Sequence, residues 1–132
     1  MENLKPIEDF NEWLKYAEHD LDAAKFMVKR DFYNGSVFWA HDSVEKSLKA
    51  FLVFNHKKGD KTTHNLEKLA LICSNLDNSF SSIMTDIKHI NGWAEQVSYP
   101  DAKGTFDATV EHCETAISVA EKIYSFVLQK AA

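Results

Sequence analysis

An all-α fold, an up-and-down bundle of four or five helices, is predicted by three observations. Only four Gly and two Pro punctuate 132 residues, which leaves room for long helices and few tight turns. Apolar residues recur at i, i+3/i+4 and i+7 through most of the chain, and no alternating strand pattern competes with them. Hydrophobic residues make up 45% of the chain and aromatics 12%, ample material for one core and no case for disorder. At this length, residues 1–132 are read as one helical domain.

The first helix is expected from about Phe10 to Lys29, with Phe10, Trp13, Leu14, Ala17, Leu21, Ala24 and Val28 as its buried stripe. RDFYNGS breaks it: Asn34-Gly35 supplies a positive-φ turn, and Ser36 caps the next helix, which runs to about Asn55. Placed at 100° per residue, Val37, Ala40, Val44, Leu48, Phe51 and Leu52 form one stripe of that helix, with His41 near its centre and Glu45 on its edge. A second strip behind it, Trp39, Ala50, Val53 and Phe54, leaves the helix apolar on nearly all sides. An exposed strip of that length would be unusual on a monomer, so a homodimer interface is expected there.

HKKGDKTTHNLEKLALICSNL reads as a polar loop followed by a shorter third helix, capped by Thr62 or Thr63, with Leu66, Leu69, Ala70 and Cys73 inward. The fourth helix begins near Ser79, turns Phe80, Ile83, Ile87 and Ile90 inward, and is expected to kink or loosen at Asn91-Gly92. Pro100 drives Tyr99 out of the helical region and ends it. The fifth helix, about Thr105 to Gln129, carries Phe106, Val110, Cys113, Ile117, Ala120, Tyr124 and Val127, a 3-4 repeat suited to antiparallel packing.

Charge and composition narrow the function classes. Lys and Arg total 15, Arg30 being the sole arginine, against 20 acidic residues and a net charge of −5. A non-specific DNA or RNA binder, whose affinity comes from neutralising phosphates, is disfavoured, and no DNA partner is expected. MENLKPIEDF lacks the basic and apolar regions of a secretion signal, and no stretch approaches the ~20 apolar residues of a membrane span. A cytoplasmic chain without a membrane partner is the expectation. Cys73 and Cys113 lie inside predicted helices and read as small hydrophobes.

Metal and phosphate motifs are missing in their usual forms. No Glu is followed three residues later by His, no two His stand at i, i+4, and there is no CxxC, so neither metal nor cofactor is expected. Gly35-Ser36 is not followed by the Asp-x-Asp pair of a nucleotidyltransferase, and no glycine-rich phosphate loop occurs. What remains is polar patterning. His41, Glu45 and Lys49 recur at i, i+4, i+8, with Glu45 ahead of Lys49 in the favourable order for a helical ion pair. Lys57, Lys58 and Lys61 stand before the third helix, where free N–H groups favour an anion, while Lys46 or Lys49 adds charge and Tyr99 offers a ring to stack on a base.

Trp13, Ala17 and Asp20-Leu21 in the first helix, AHDSVEKSLKAFL in the second, THNLEKL opening the third and YPD before the last occur in an order and spacing that resembles the HEPN domain family. The resemblance covers about Phe10 to Leu128, and its strongest part is Val44 to Leu52 combined with Thr63-His64-x-Leu66. It implies a helical bundle, often dimeric, with some members proposed to bind nucleotides and others acting as metal-independent ribonucleases. It also implies a small nucleotidyltransferase partner in a toxin–antitoxin pair. The ribonuclease branch needs an Arg separated by four to six residues from a His. Here the next histidine after Arg30 is His41, eleven positions on, so that motif is absent. Ser98 stands where many relatives have Arg before Tyr-Pro-Asp, which removes a bidentate phosphate ligand.

Three readings follow. A homodimeric binding module would engage a nucleotide, an RNA end or a partner protein through His41, Glu45, Lys46, Lys49, His64 and Tyr99. A ribonuclease would need His41 or His64 as acid and base, with lysines replacing Arg. A scaffold would use the polar strip only to fix helix register.

Overall fold

Asp9 starts the first helix: its side chain accepts the N–H groups of Asn11 and Glu12 at 2.8 and 3.3 Å, satisfying two orphan donors. The structure is a computed structural model that describes residues 9–55, 63–98 and 106–131. Its helices are α1 (Phe10–Lys29), α2 (Tyr33–Phe54), α3 (Leu66–Leu76), α4 (Met84–Ser98) and α5 (Val110–Lys130), with a 3-10 segment at Asn78–Ile83 before α4. Among the described residues there is no strand, and the all-α expectation holds. No helix among them is long and apolar enough to cross a membrane.

The turn between α1 and α2 is not the expected one. Asp31, at φ 63°, takes the left-handed position. Around it Phe32 N–H reaches Met27 O at 2.9 Å and Asp31 N–H reaches Val28 O at 3.3 Å, a Schellman closure with Asp where Gly is usual. Asn34 and Gly35 therefore lie inside α2, which begins three residues earlier than the sequence suggests. Gly35 serves close approach: a Cβ there would stand 2.5 Å from Met27 Sδ. Asn34 Oδ1 accepts the Ala108 N–H at 2.8 Å, tying the turn to the entry of α5.

Ser36 is likewise no cap. It is fully buried and donates its hydroxyl to Ala24 O at 2.9 Å, while Ser43, two turns on, donates to Ala17 O at 2.8 Å. Two serines on α2 thus meet two alanine carbonyls on α1 in antiparallel register, and the small side chains bring the helices close. The stripe Val37, Ala40, Val44, Leu48, Phe51 and Leu52 is buried throughout, as its periodicity requires. Phe80 anchors the core, its ring centroid 4.6 Å from Phe51 and 4.8 Å from Phe126.

Three further boundaries differ. Asn65, not Thr63, caps α3 by accepting the Lys68 N–H at 3.1 Å; Thr63 Oγ1 instead accepts from Asn65 N–H at 3.2 Å. Thr62 lies outside the described residues. The serine-rich NSFSS stretch forms i→i+3 bonds and local side-chain bonds under the Asp77 cap, so the α-helical pattern starts at Met84 rather than Ser79. α4 runs through Asn91-Gly92 without a break. In α5 the helix begins at Val110, where Thr109 and His112 form a reciprocal capping box: the His112 N–H bonds Thr109 Oγ1 and the Thr109 N–H bonds the imidazole.

Candidate functional site

His41, Glu45 and Lys49 fall on one face of α2, as their spacing requires, and none is exposed. Lys49 Nζ donates to Glu45 Oε2 at 2.8 Å and sits over the Trp13 ring, 5.6 Å from its centroid. From the start of α3, His64 brings Nδ1 to within 2.9 Å of the same Glu45 oxygen. One residue of the α2 ladder, Lys49, and the histidine of THNLEKL thus converge on one carboxylate oxygen of another, Glu45. The other, Glu45 Oε1, is buried without a hydrogen-bond partner among the described residues. A buried oxygen left in that state costs about 1–3 kcal/mol or more.

His41, Glu45 and His64, but not Lys49, line a cleft of about 460 Å³. α2 contributes His41, Asp42 and Glu45, the entry to α3 contributes His64 and Asn65, and α4 contributes Asn91 and Glu95, with the Phe38 ring on the wall. His41 Nδ1 stands 3.3 Å from Asp42 Oδ1. Asn91, read from sequence as a kink, instead accepts the Leu66 N–H at 3.1 Å and so fixes the start of α3 against α4. No lysine or arginine is among the described residues lining the cleft, which is rich in acceptors and carries three carboxylates.

The remaining sequence candidates are dispersed. Lys46 turns to the α1–α2 seam and pairs with Asp20. Burial raises the Asp20 carboxyl above its ordinary value, against the opposing pull of that ammonium. Tyr99 lies outside the described residues, as do Lys57, Lys58 and Lys61, so the anion site expected there does too. Along the rear strip of α2, Ala50 is fully covered and Val53 9% exposed within the single chain. Trp39 is half-buried against the core, and Phe54, 43% exposed, packs its ring 5.4 Å from Phe10. Much of the burial that called for a second copy is supplied by the chain's own helices.

Asn91, Glu95 and Phe38 had no motif to announce them, and Asn65 was only the unassigned position inside THNLEKL; the α3 and α4 residues join the cleft because those helices pack against α2 there. Asp42 was inside the AHDSVEKSLKAFL stretch but off the apolar stripe. Both cysteines are buried and free, and burial pushes the Cys73 thiol up to about 12, far from a reactive thiolate.

A family model described as the HEPN domain matches residues 10–130. The chain belongs to the HEPN domain family. Two solved structures resemble this HEPN chain closely in shape. ST0689, described as an archaeal HEPN homologue, aligns with a TM-score of 0.77 at 19% identity, over 96% of this chain and 100% of that one. TT1696 from Thermus thermophilus aligns with a TM-score of 0.80 at 22% identity, over 94% and 99%. At such identities the likeness carries the HEPN fold alone. MJ1304 of Methanocaldococcus jannaschii, a protein provisionally named a toxin, is 42% identical over 43 residues, 33% of this chain. The match spans 28% of that protein's length.

Proposed function

We propose that this HEPN chain is a binding module without the family's ribonuclease chemistry, holding a nucleotide or the end of an RNA in the cleft between α2, α3 and α4. The observation that carries the reading is the convergence of Lys49 and His64 on Glu45, with Glu45 and His64 in the lining of that cleft, since these residues also carry the family resemblance. Acceptors such as Glu95 and the asparagine amides suit the exocyclic amino groups of a base. Phe38, 39% exposed, offers a ring for stacking. Arg30, the sole arginine, lies over the Phe26 ring at the end of α1 and is not among the cleft residues, so no guanidinium is at hand to stabilise a reacting phosphate.

The toxin name of MJ1304 supports a toxin–antitoxin setting; a small nucleotidyltransferase as the partner protein rests on the family resemblance alone. Homodimerisation through α2 belongs to the same reading; sedimentation at rising concentration tests it, and a monomer throughout removes it. For the cleft, calorimetry with the four common nucleoside triphosphates and short RNA at low ionic strength is decisive. Micromolar or weaker binding is expected, about −8 kcal/mol or less favourable, and Phe38→Ala and Glu95→Gln should each weaken it. No heat with any ligand would leave the scaffold reading ahead. RNA cleavage by the purified chain, lost in His41→Ala or His64→Ala, would restore the ribonuclease reading.

A further inference from the structure

We infer that His41, Asp42 and Glu45 form a site for one divalent transition-metal ion of the zinc or manganese class. One ligand atom from each, an imidazole nitrogen and two carboxylate oxygens, lies within 4.8 Å of the other two. His41 and Glu45 are one turn apart on α2 and share a face, and Asp42 brings its Oδ1 to 3.3 Å from His41 Nδ1. That separation is long for an N–H···O hydrogen bond. It matches the edge of a coordination tetrahedron, since two ligands each about 2.0–2.1 Å from zinc stand about 3.3–3.4 Å apart.

A second observation is independent of the spacing. The Glu45 side chain is 7% exposed, and its Oε1 has no hydrogen-bond partner among the described residues. Its twin, Oε2, is held by Lys49 at 2.8 Å and His64 at 2.9 Å. The carboxylate is fixed through one oxygen while the other has lone pairs to which no described residue donates. Carboxylates that bind metals are commonly held from behind in this way. A dehydrated cation satisfies such an oxygen.

The donor set selects the class of ion. One imidazole and two carboxylates suit zinc, manganese or iron; copper(I) prefers sulfur, and magnesium asks for near-octahedral oxygen. Three protein ligands leave coordination positions for water or a ligand oxygen. The ion goes beyond the nucleotide reading and would supply the positive charge that the described lining of the cleft lacks.

The test uses the full chain, stripped with a chelator, dialysed, and titrated with ZnCl2 or MnCl2 and no nucleotide, so its result is separate from that of the nucleotide calorimetry. One equivalent of Zn²⁺ is expected to bind, raising the melting temperature by about 5 °C or more at a hundredfold excess over Kd. MgCl2 is expected to leave it unchanged. Asp42→Asn, at a side chain 25% exposed and apart from the Lys49 pair, and His41→Ala should each weaken Zn²⁺ at least about tenfold while circular dichroism stays helical. Long-range proton–nitrogen spectra should show the ring nitrogens of His41 moving on titration. No stabilisation by either ion, undiminished Zn²⁺ binding in both variants, or movement confined to other histidines would overturn the site.

Discussion

Lys49 and Glu45, one turn apart on α2 with side chains 4% and 7% exposed, meet at 2.8 Å inside the bundle. A pair so placed differs in kind from the solvated i, i+4 pairs it resembles in sequence. Out in water it would contribute a few tenths of a kcal/mol. Buried, each charge depends on the other, because a charge stripped of its partner stays in a medium that does not solvate it.

Removing one member should therefore cost far more than a surface pair. Glu45→Ala or Lys49→Ala is expected to destabilise the fold by about 3–5 kcal/mol. The double variant Glu45→Gln with Lys49→Met should cost less than the sum of the single changes. His64, 81% exposed, contributes much less, and His64→Ala should cost under about 1 kcal/mol. Urea denaturation of the set decides it; additive losses would mean that the two side chains act independently.

The Asp77–Lys130 bridge predicts a pH dependence. Lys130 Nζ, 2.7 Å away, and then the Ser79 hydroxyl and N–H hold the Asp77 carboxyl at about 2, below its ordinary 3.8. A depressed folded value stabilises the fold above the unfolded one and loses that effect as pH falls. The stability gap between the protein and Asp77→Asn should be full above about pH 4 and shrink toward pH 2. A gap that does not change with pH would show that the charge of Asp77 is unimportant.

Two helical glycines should respond in opposite ways. Around Gly92 nothing lies within 4 Å of an added Cβ, so Gly92→Ala is expected to stabilise by about 0.5–1 kcal/mol, read by thermal or urea unfolding. At Gly35 the Cβ would press on Met27 Sδ at 2.5 Å, and the gain in helix propensity is offset. Adding Met27→Ala should release it, so that Gly35→Ala stabilises in that background and not in the native one.

Asp31 pays for its left-handed backbone at φ 63°, where glycine has no such penalty. Asp31→Gly is expected to raise stability by about 0.5–1 kcal/mol, after allowing for glycine's greater freedom when unfolded. The Tyr33 hydroxyl, which donates to Asp31 Oδ1 at 3.1 Å and is held above its ordinary pKa chiefly by that bond, should then titrate lower. Ultraviolet titration of the tyrosines reads this directly.

Periodicity alone determined the helices, the inward stripes of α2 and α3, and the face shared by His41, Glu45 and Lys49, because side-chain direction along a helix follows from spacing. The motifs that carry the family resemblance include the same residues. Tertiary structure decided the rest. Ser36 becomes a buried donor to Ala24 rather than a cap because α1 packs against it. Asp31 rather than Asn34-Gly35 makes the turn because the Schellman closure at Met27 and Val28 selects that register. Lys46 stays out of the cleft and pairs with Asp20 because α1 packs along that side of α2. Asn65, Asn91 and Glu95 become cleft residues only where α3 and α4 cross α2. Local spacing says which residues share a face; which partner meets that face depends on the packing of helices far apart in the chain, and that in turn decides whether a charge is solvated, paired or left with an oxygen unsatisfied.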